Sequence, residues 1–222
     1  MKSSWGLDRD AELIRDKLVE DQKKLDVISI VGMGGIGKTT LATKVYNDGY
    51  VKHHFYVRVW VTVSQIYDKR AVLAQILESI HRQHNIEKAS DSILGLVSVQ
   101  LNPDKASDLR IHEVILETWD ELKLFFPHEN TGSRILLTSR LTEVAKHAKS
   151  NGLIHHLGYL DQEKSRELLR EMVFHGNECP KWLIKPGMQI AKNCQGLPLA
   201  VVVIAGVLAK ETRSEEFLGG NC

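Results

Sequence analysis

Residues 32 to 40 read "GMGGIGKTT" and follow the apolar run "DVISIV". This glycine-rich stretch fits two patterns that bind phosphate groups. One is G-x-G-x-x-G, which is typical of dinucleotide sites, and the other is G-x-x-x-x-G-K-[ST], the P-loop. In either pattern the glycines allow the backbone to turn its N–H groups toward phosphate oxygens, because glycine tolerates positive φ angles.

The residues around this stretch favour the P-loop. A dinucleotide site needs a carboxylate at the end of the second strand to bind the ribose hydroxyls. Here the predicted second strand ends in Ser64-Gln65, and the first carboxylate after it is Asp68. Lys38 and Thr39 directly follow the last glycine, as the P-loop requires. We expect Lys38 to bridge the β- and γ-phosphates and the Thr39 hydroxyl to bind Mg²⁺.

Composition narrows the class of protein. The 222 residues are 43% apolar, enough for one large domain or two small ones. There are 29 basic and 28 acidic residues without a basic block, so nucleic-acid binding is not expected. The three cysteines show no C-x-x-C spacing, which favours a reduced, cytoplasmic protein. Peripheral association with membranes is the alternative location. The longest apolar run, residues 197–209, is too short for a transmembrane segment and suits a buried helix.

Strand and helix patterns alternate up to about residue 157, and the pattern is helical afterwards. Strands are predicted over residues 26–31, 55–64 and 134–139, and helices over 11–24, 38–48, 69–84, 162–175 and 199–210. The first helix should bury Leu13, Ile14 and Leu18, and Asp161 should cap the helix that follows it. We predict an α/β fold: a P-loop NTPase parallel sheet flanked by helices (residues 1–152), then a small helical domain (residues 153–222), incomplete at its C-terminal end.

Four ordered segments resemble the NB-ARC domain of plant disease-resistance proteins: "VGMGGIGKTTLATKVYND", "HFYVRVWVTVSQ", "GSRILLTSRLTEVA" and "NCQGLPLA". The resemblance is greatest to receptors with a coiled coil and leucine-rich repeats from potato and its relatives, including late blight resistance proteins. It implies an ARC1-like helical domain and a switch that binds ADP or ATP with Mg²⁺ in defence signalling. It also implies that this chain is a truncated piece, with coiled-coil or leucine-rich-repeat segments of related receptors as partners.

The resemblance adds residues to the expected nucleotide site. Arg140 in "LLTSR" matches the arginine that reads the γ-phosphate, and Pro198 in "GLPLA" matches a proline near the base. The segment "WGLDRD", around Leu7 and Asp8, resembles the lining of the adenine pocket. The expected nucleotide-binding residues are Gly32, Met33, Gly34, Gly35, Ile36, Gly37, Lys38, Thr39, Thr40, Arg140 and Pro198, with Thr39 also the ligand of Mg²⁺.

The chain departs from the family pattern where an acidic pair is expected. Before a segment like "WDELKLFFP", the family carries an apolar strand ending in two aspartates that bind Mg²⁺ through water and help position the attacking water. Here the nearest analogue is Val114-Ile115-Leu116-Glu117. Either Glu117 is a displaced catalytic carboxylate, or the pair is lost and the chain binds nucleotide without hydrolysing it, since losing a positioned base typically costs about 10²- to 10⁴-fold in rate.

Other functions stay open. One alternative is an active P-loop ATPase, which would need that carboxylate and a substrate site, and another is an interaction module that binds no nucleotide. The ten histidines include adjacent pairs at 53–54 and 155–156, but neither pair has the further ligands of a tetrahedral metal site. Asp120 and Glu121 in "WDELKLFF" are expected on the polar face of an amphipathic helix.

Overall fold

A computed structural model of the chain describes residues 6–21, 23–63, 69–83, 95–101, 119–121, 123, 132–149 and 151–219. The strands are β1 (Asp26–Val31), β2 (Val57–Val63), β3 (Gly95–Leu101), β4 (Arg134–Ser139) and β5 (Ile154–His156). The helices are α1 (Asp8–Leu18), α2 (Lys38–Tyr46), α3 (Gly49–His54), α4 (Lys69–Gln83), α5 (Thr142–Ala148), α6 (Gln162–Phe174), α7 (Lys181–Asn193) and α8 (Pro198–Gly219).

The chain divides into two compact units. One unit comprises Asp8–Met33 and Lys38–Leu157 and contains the strands, so we call it the sheet unit. The other comprises Met1–Leu7, Gly34–Gly37 and Gly158–Cys222, and we call it the helical unit. A short glycine-rich segment is thus grouped with helices that come much later in the sequence.

The strands form a parallel sheet in the order β2-β3-β4-β1-β5. β1 and β4 are paired along their whole length, and Val31 lies opposite Ser139 on one side and His156 on the other. All six residues of β1 and all six of β4 are buried, as expected for inner strands of a sheet covered on both faces. The structure confirms the predicted bounds of both strands, and β2 begins two residues later than predicted.

Two strands were not predicted. β3, with the sequence "GLVSVQL", lies between β2 and β4. The sequence had instead suggested an analogue of the family's apolar strand further along the chain, at residues 114–117. β5 is only three residues long and pairs with β1. Ile154–His156 therefore belong to the sheet. Such a short strand has too few residues to show a pattern of its own, so its pairing with β1 defines it.

The first helix is shorter and starts earlier than predicted. α1 begins at Asp8 and ends at Leu18, and it buries Ala11, Ile14 and Leu18. Leu13 is 46% exposed, so the expectation that it is buried was wrong. Residues at i, i+3 and i+7 share one helical face, and Leu13 lies to the side of that face.

One core cluster of the sheet unit is centred on alternate residues of β2. Val57, Val59 and Val61 of β2 alternate with outward residues and pack with residues from β1, β4, α4 and α5. Trp119 belongs to this cluster and is fully buried, whereas Asp120 and Glu121 beside it are exposed. This confirms the predicted polar face at the latter two residues.

The helical unit has its own core, built from α6, α7 and α8 around Leu168, Leu169 and Val201. The Asp161 side chain accepts a hydrogen bond of 2.8 Å from the Lys164 N–H, which confirms the predicted cap of α6. α8 buries only one stripe, so the apolar run predicted as a buried helix also exposes a series of apolar side chains: Leu199, Val202, Val203 and Val207. Among the described residues, no helix combines the length and apolarity needed to cross a bilayer.

Candidate functional site

The segment Gly32–Gly37, which we call the glycine loop, joins β1 to α2. It begins at the carboxyl end of β1, where the Gly32 N–H donates a 3.4 Å hydrogen bond to the carbonyl oxygen of Ser139 at the end of β4. Two inner parallel strands therefore end side by side at the start of the loop. Ligands of open α/β sheets bind at this edge, outside the carboxyl ends of the strands.

The backbone of the loop has positive φ angles that are unfavourable for residues other than glycine. Gly35 has a φ of +77° and Gly37 a φ of +102°, in the region that residues with a Cβ rarely adopt. Between them the Ile36 side chain is 2% exposed and anchors the loop, while Met33 is 57% exposed. α2 starts at Lys38, directly after the loop, so the first N–H groups of a helix follow the turned backbone. Such an arrangement can bind an anion.

Lys38 is the principal charge of the loop. Its Nζ donates hydrogen bonds to the carbonyl oxygens of Gly32 at 2.8 Å and Met33 at 2.9 Å. The side chain is only 7% exposed. Burial, and then repulsion from Arg140, lower the pKa of Lys38 from 10.5 to about 8. A bound anion would offset both effects, because each disfavours the charged ammonium.

The other predicted residues of the sheet unit outside the glycine loop are Thr39, Thr40 and Arg140. Thr39 and Thr40 lie in the first turn of α2 with exposed side chains, so the Thr39 hydroxyl is accessible to a ligand. Arg140 follows β4 directly and is half-buried. Since Gly32 follows β1 and Arg140 follows β4, the paired strands bring both to the same edge of the sheet.

The helical unit contains Gly34–Gly37 and Pro198. Pro198 is the first residue of α8 and is half-buried. Its neighbour Leu199, which sequence analysis did not single out, donates its N–H to the carbonyl oxygen of Gly35 at 3.2 Å. Leu199 lies in the same "GLPLA" segment as Pro198, so the motif that indicates Pro198 also contains Leu199.

The two residues suggested for an adenine pocket differ in their surroundings. Leu7 is 8% exposed, and its Cδ1 lies 4.0 Å from the position that a Cβ on Gly37 would take. The Asp8 carboxylate forms an ion pair with Lys44 of α2. Leu7 is therefore adjacent to the glycine loop, whereas Asp8 holds the start of α1 against α2.

The family comparison agrees with this geometry. The family model for the NB-ARC domain matches residues 7–179. The chain belongs to the NB-ARC family. This confirms the resemblance seen in the sequence.

Relatives of this NB-ARC domain are plant resistance proteins. Disease resistance protein RPP13 of Arabidopsis thaliana is 35% identical over 218 residues, which cover 95% of this chain and 26% of that protein. The late blight resistance protein homolog R1B-14 of Solanum demissum is 36% identical over 212 residues, which cover 92% of this chain and 16% of that protein. The NB-ARC domain thus spans about a quarter or less of the length of these relatives.

Solved structures support the fold of this NB-ARC domain. The structure of the ORC2 protein of Aeropyrum pernix, in ADPNP–ADP complexes, has a TM-score of 0.61 at 17% identity. The matched region covers 96% of this chain and 64% of the ORC2 chain. A signal transduction ATPase with numerous domains from Pyrococcus horikoshii has a TM-score of 0.52 at 17% identity, covering 90% of this chain and 29% of that one. The predicted P-loop NTPase fold is confirmed.

The acidic pair that the resemblance implies does not lie within β3 itself. The sequence of β3, "GLVSVQL", contains no aspartate or glutamate. Glu117, the candidate substitute, lies outside the described residues. Among the described residues there is no group of three or more His, Cys, Asp or Glu side chains able to hold a metal ion. Of the paired histidines, His155 Nε2 lies 3.0 Å from the Asp10 carboxylate, between β5 and α1.

Proposed function

We propose that this NB-ARC domain binds ADP or ATP in the glycine loop. The observation that carries the proposal is the Lys38 ammonium, held by the carbonyls of Gly32 and Met33 and destabilised by burial and by Arg140. Two of the three N–H groups of an ammonium are occupied by these carbonyls, and phosphate oxygens are stronger acceptors for a cation. Positive φ at Gly35 and Gly37 supports the same proposal, because it turns backbone N–H groups toward an anion.

The residues in the described part of the sheet unit also suit Mg²⁺ bound together with a nucleotide. Mg²⁺ keeps several waters and often takes only one or two protein ligands in addition to phosphate oxygens. The exposed Thr39 hydroxyl, in the first turn of α2, would be such a ligand. When bound, Mg²⁺ would neutralise phosphate charge. Arg140 would face the terminal phosphate from the end of β4, and Pro198 would contact the base.

We propose further that ATP hydrolysis is impaired. β3 ends at Leu101 without a carboxylate, so it does not supply the acidic pair that resembling proteins carry at the end of their corresponding strand. The domain would then retain a nucleotide rather than turn it over. The second candidate is an active ATPase, in which Glu117 supplies the missing carboxylate.

The biological role that we propose is a nucleotide-dependent switch in plant defence. It is supported by the match to RPP13 and to the late blight resistance homologue, which are longer proteins. Within such a receptor, the exposed apolar face of α8 would contact coiled-coil or leucine-rich-repeat segments. This proposal also includes a cytoplasmic location. It further includes a nucleotide-binding domain over residues 1–152 and an ARC1-like domain over residues 153–222.

The nucleotide retained by the purified full chain tests this function. We expect that acid extraction followed by ion-exchange chromatography releases an adenine nucleotide, with ADP exceeding ATP, in near-stoichiometric amount. The Lys38→Ala variant, purified in parallel, should release much less. A wild-type protein that carries no nucleotide and binds none when ADP is added would favour the interaction module instead.

A further inference from the structure

Leu199 touches the glycine loop at Gly35, where φ is +77° and a side chain would also meet a steric clash. A Cβ built on Gly35 would lie 2.7 Å from the Leu199 Cβ and 2.9 Å from its Cδ2. Both distances are too short for carbon atoms that are not bonded to each other. Leu199 therefore fills the space beside Gly35 that any larger residue would need.

The main chain of Leu199 makes a second contact with the same residue. Its N–H donates to the Gly35 carbonyl oxygen at 3.2 Å. Leu199 is the second residue of α8, and the first N–H groups of a helix have no acceptor within that helix. The contact thus uses a donor that the helix itself leaves unpaired. Gly34–Gly37 and α8 belong to the same compact unit.

The direction of this hydrogen bond bears on phosphate binding. In a planar trans peptide the carbonyl of one residue and the N–H of the next point in opposite directions. Holding the Gly35 carbonyl toward α8 therefore points the Ile36 N–H away from α8. It also keeps a carbonyl oxygen from turning toward an anion, which it would repel. Ile36 is itself buried, so the peptide between these two residues is fixed from both ends.

We infer that Leu199 is a positioning residue that holds the glycine loop in its phosphate-binding conformation. The inference rests on the proposed binding of ADP or ATP, and it concerns Leu199 as a support for the loop rather than as a contact of the nucleotide. Because Leu199 is 52% exposed, shortening it leaves no buried cavity and should leave the fold intact.

The experiment compares the full chain with its Leu199→Ala variant and with Val203→Ala as the matched control. Val203 lies one turn further along α8 and is 58% exposed. Leu199→Ala keeps the main-chain N–H and loses the Cγ and Cδ2 atoms that lie beside Gly35. We expect calorimetry to show ADP affinity reduced about fivefold or more in this variant and unchanged in Val203→Ala. Hydrogen exchange of the amides of residues 34–37 in the nucleotide-free proteins should be faster only in Leu199→Ala.

A double-mutant cycle measures how strongly Gly35 and Leu199 are coupled in their effect on ADP affinity. A general loss of stability would not produce such coupling. Gly35→Ala alone should reduce ADP affinity at least about thirtyfold, and it should cost several-fold less in a Leu199→Gly background, because the steric overlap is removed. An equal cost in both backgrounds, or unchanged affinity and loop exchange in Leu199→Ala, would overturn the inference. If the wild type binds no ADP, the proposed function fails, and the exchange experiment alone then decides whether Leu199 orders the loop.

Discussion

Lys38 and Arg140 carry like charges at the same edge of the sheet, where β1 and β4 end side by side. Burial of Lys38 and its repulsion from Arg140 lower the pKa of the lysine to about 8. A like charge nearby disfavours the charged form of a lysine, so this repulsion works against the protonated ammonium. A phosphate group at this edge would turn the repulsion into attraction for both side chains.

ADP affinity should depend on pH through Lys38. Below its pKa of about 8 the lysine is already charged, so affinity is nearly constant. Above it, binding must first restore the proton, and affinity should fall by up to about tenfold for each pH unit until the pKa of the complex is reached. Calorimetry from about pH 7 to about pH 9.5, in buffers of different ionisation enthalpy, measures both the affinity and the proton taken up.

Lys38→Arg is the control for this pH dependence, because a guanidinium stays protonated over the whole range. We expect this variant to bind ADP more weakly than the wild type near pH 7, but its affinity should not change with pH. A wild-type affinity that stays level or rises above pH 8 would mean that Lys38 is not the titrating group.

ATP hydrolysis should be at background level. The reason is that β3 contains no carboxylate to position water, although Lys38 and Thr39 are both in place. The test measures phosphate release from ATP with Mg²⁺ by the wild type and by Lys38→Ala. We expect the two rates to be equal. Turnover that is lost in Lys38→Ala and also in Glu117→Gln would show that Glu117 has taken over the catalytic role.

Arg134 should contribute strongly to stability. It is 2% exposed, and its guanidinium donates to four main-chain carbonyls. Two of these, Glu20 at 2.8 Å and Lys24 at 3.2 Å, tie the start of β4 to the segment before β1. Arg134→Met would remove these hydrogen bonds to a buried side chain, and we expect it to lower the free energy of unfolding by about 3 kcal/mol. Urea denaturation measures the difference. Arg9→Met, at an exposed position of α1, should change it by less than about 0.5 kcal/mol.

The exposed apolar face of α8 should cause self-association of the isolated chain. Val203 and Val207 are each 58% exposed and lie one turn apart. Replacing both by lysine should reduce light scattering at high protein concentration without changing ADP affinity. Lysines at Gln189 and Asn193, exposed polar positions of α7, provide the same added charge as a control. If the control variant reduces scattering equally, net charge rather than this face governs association.

The sequence predicts best those parts of the fold whose signals are local. β1 and β4 are continuous apolar runs buried on both faces, and their bounds were predicted correctly. The cap at Asp161 needs only its own side chain and the following helix. β5 and β3, in contrast, are defined by their partners in the sheet, because three residues or a mixed run such as "GLVSVQL" carry no decisive pattern. The burial of Leu13 was predicted wrongly, because Leu13 and Ile14 are adjacent apolar residues and the pattern alone does not show which of them faces the core.

The candidate site divides in the same way. The glycines, Lys38 and Thr39 are recognisable from spacing alone, because the chemistry of phosphate binding fixes their order. The contact between Gly35 and Leu199 joins residues that are far apart in the sequence, so no local pattern could reveal it. The lowered pKa of Lys38 likewise depends on the burial of the side chain and on Arg140 in a different strand-to-helix connection.

Calorimetric titration of ADP with Mg²⁺ into the nucleotide-free full chain tests the central claim most directly. We predict saturable one-to-one binding by the wild type and by Lys52→Ala, an exposed lysine of α3. Lys38→Ala should bind at least about tenfold more weakly, since it loses a charged phosphate contact of about 1.5–3 kcal/mol. Equal ADP binding by the wild type and Lys38→Ala, or no binding by either, would contradict the assignment of the glycine loop as a nucleotide site.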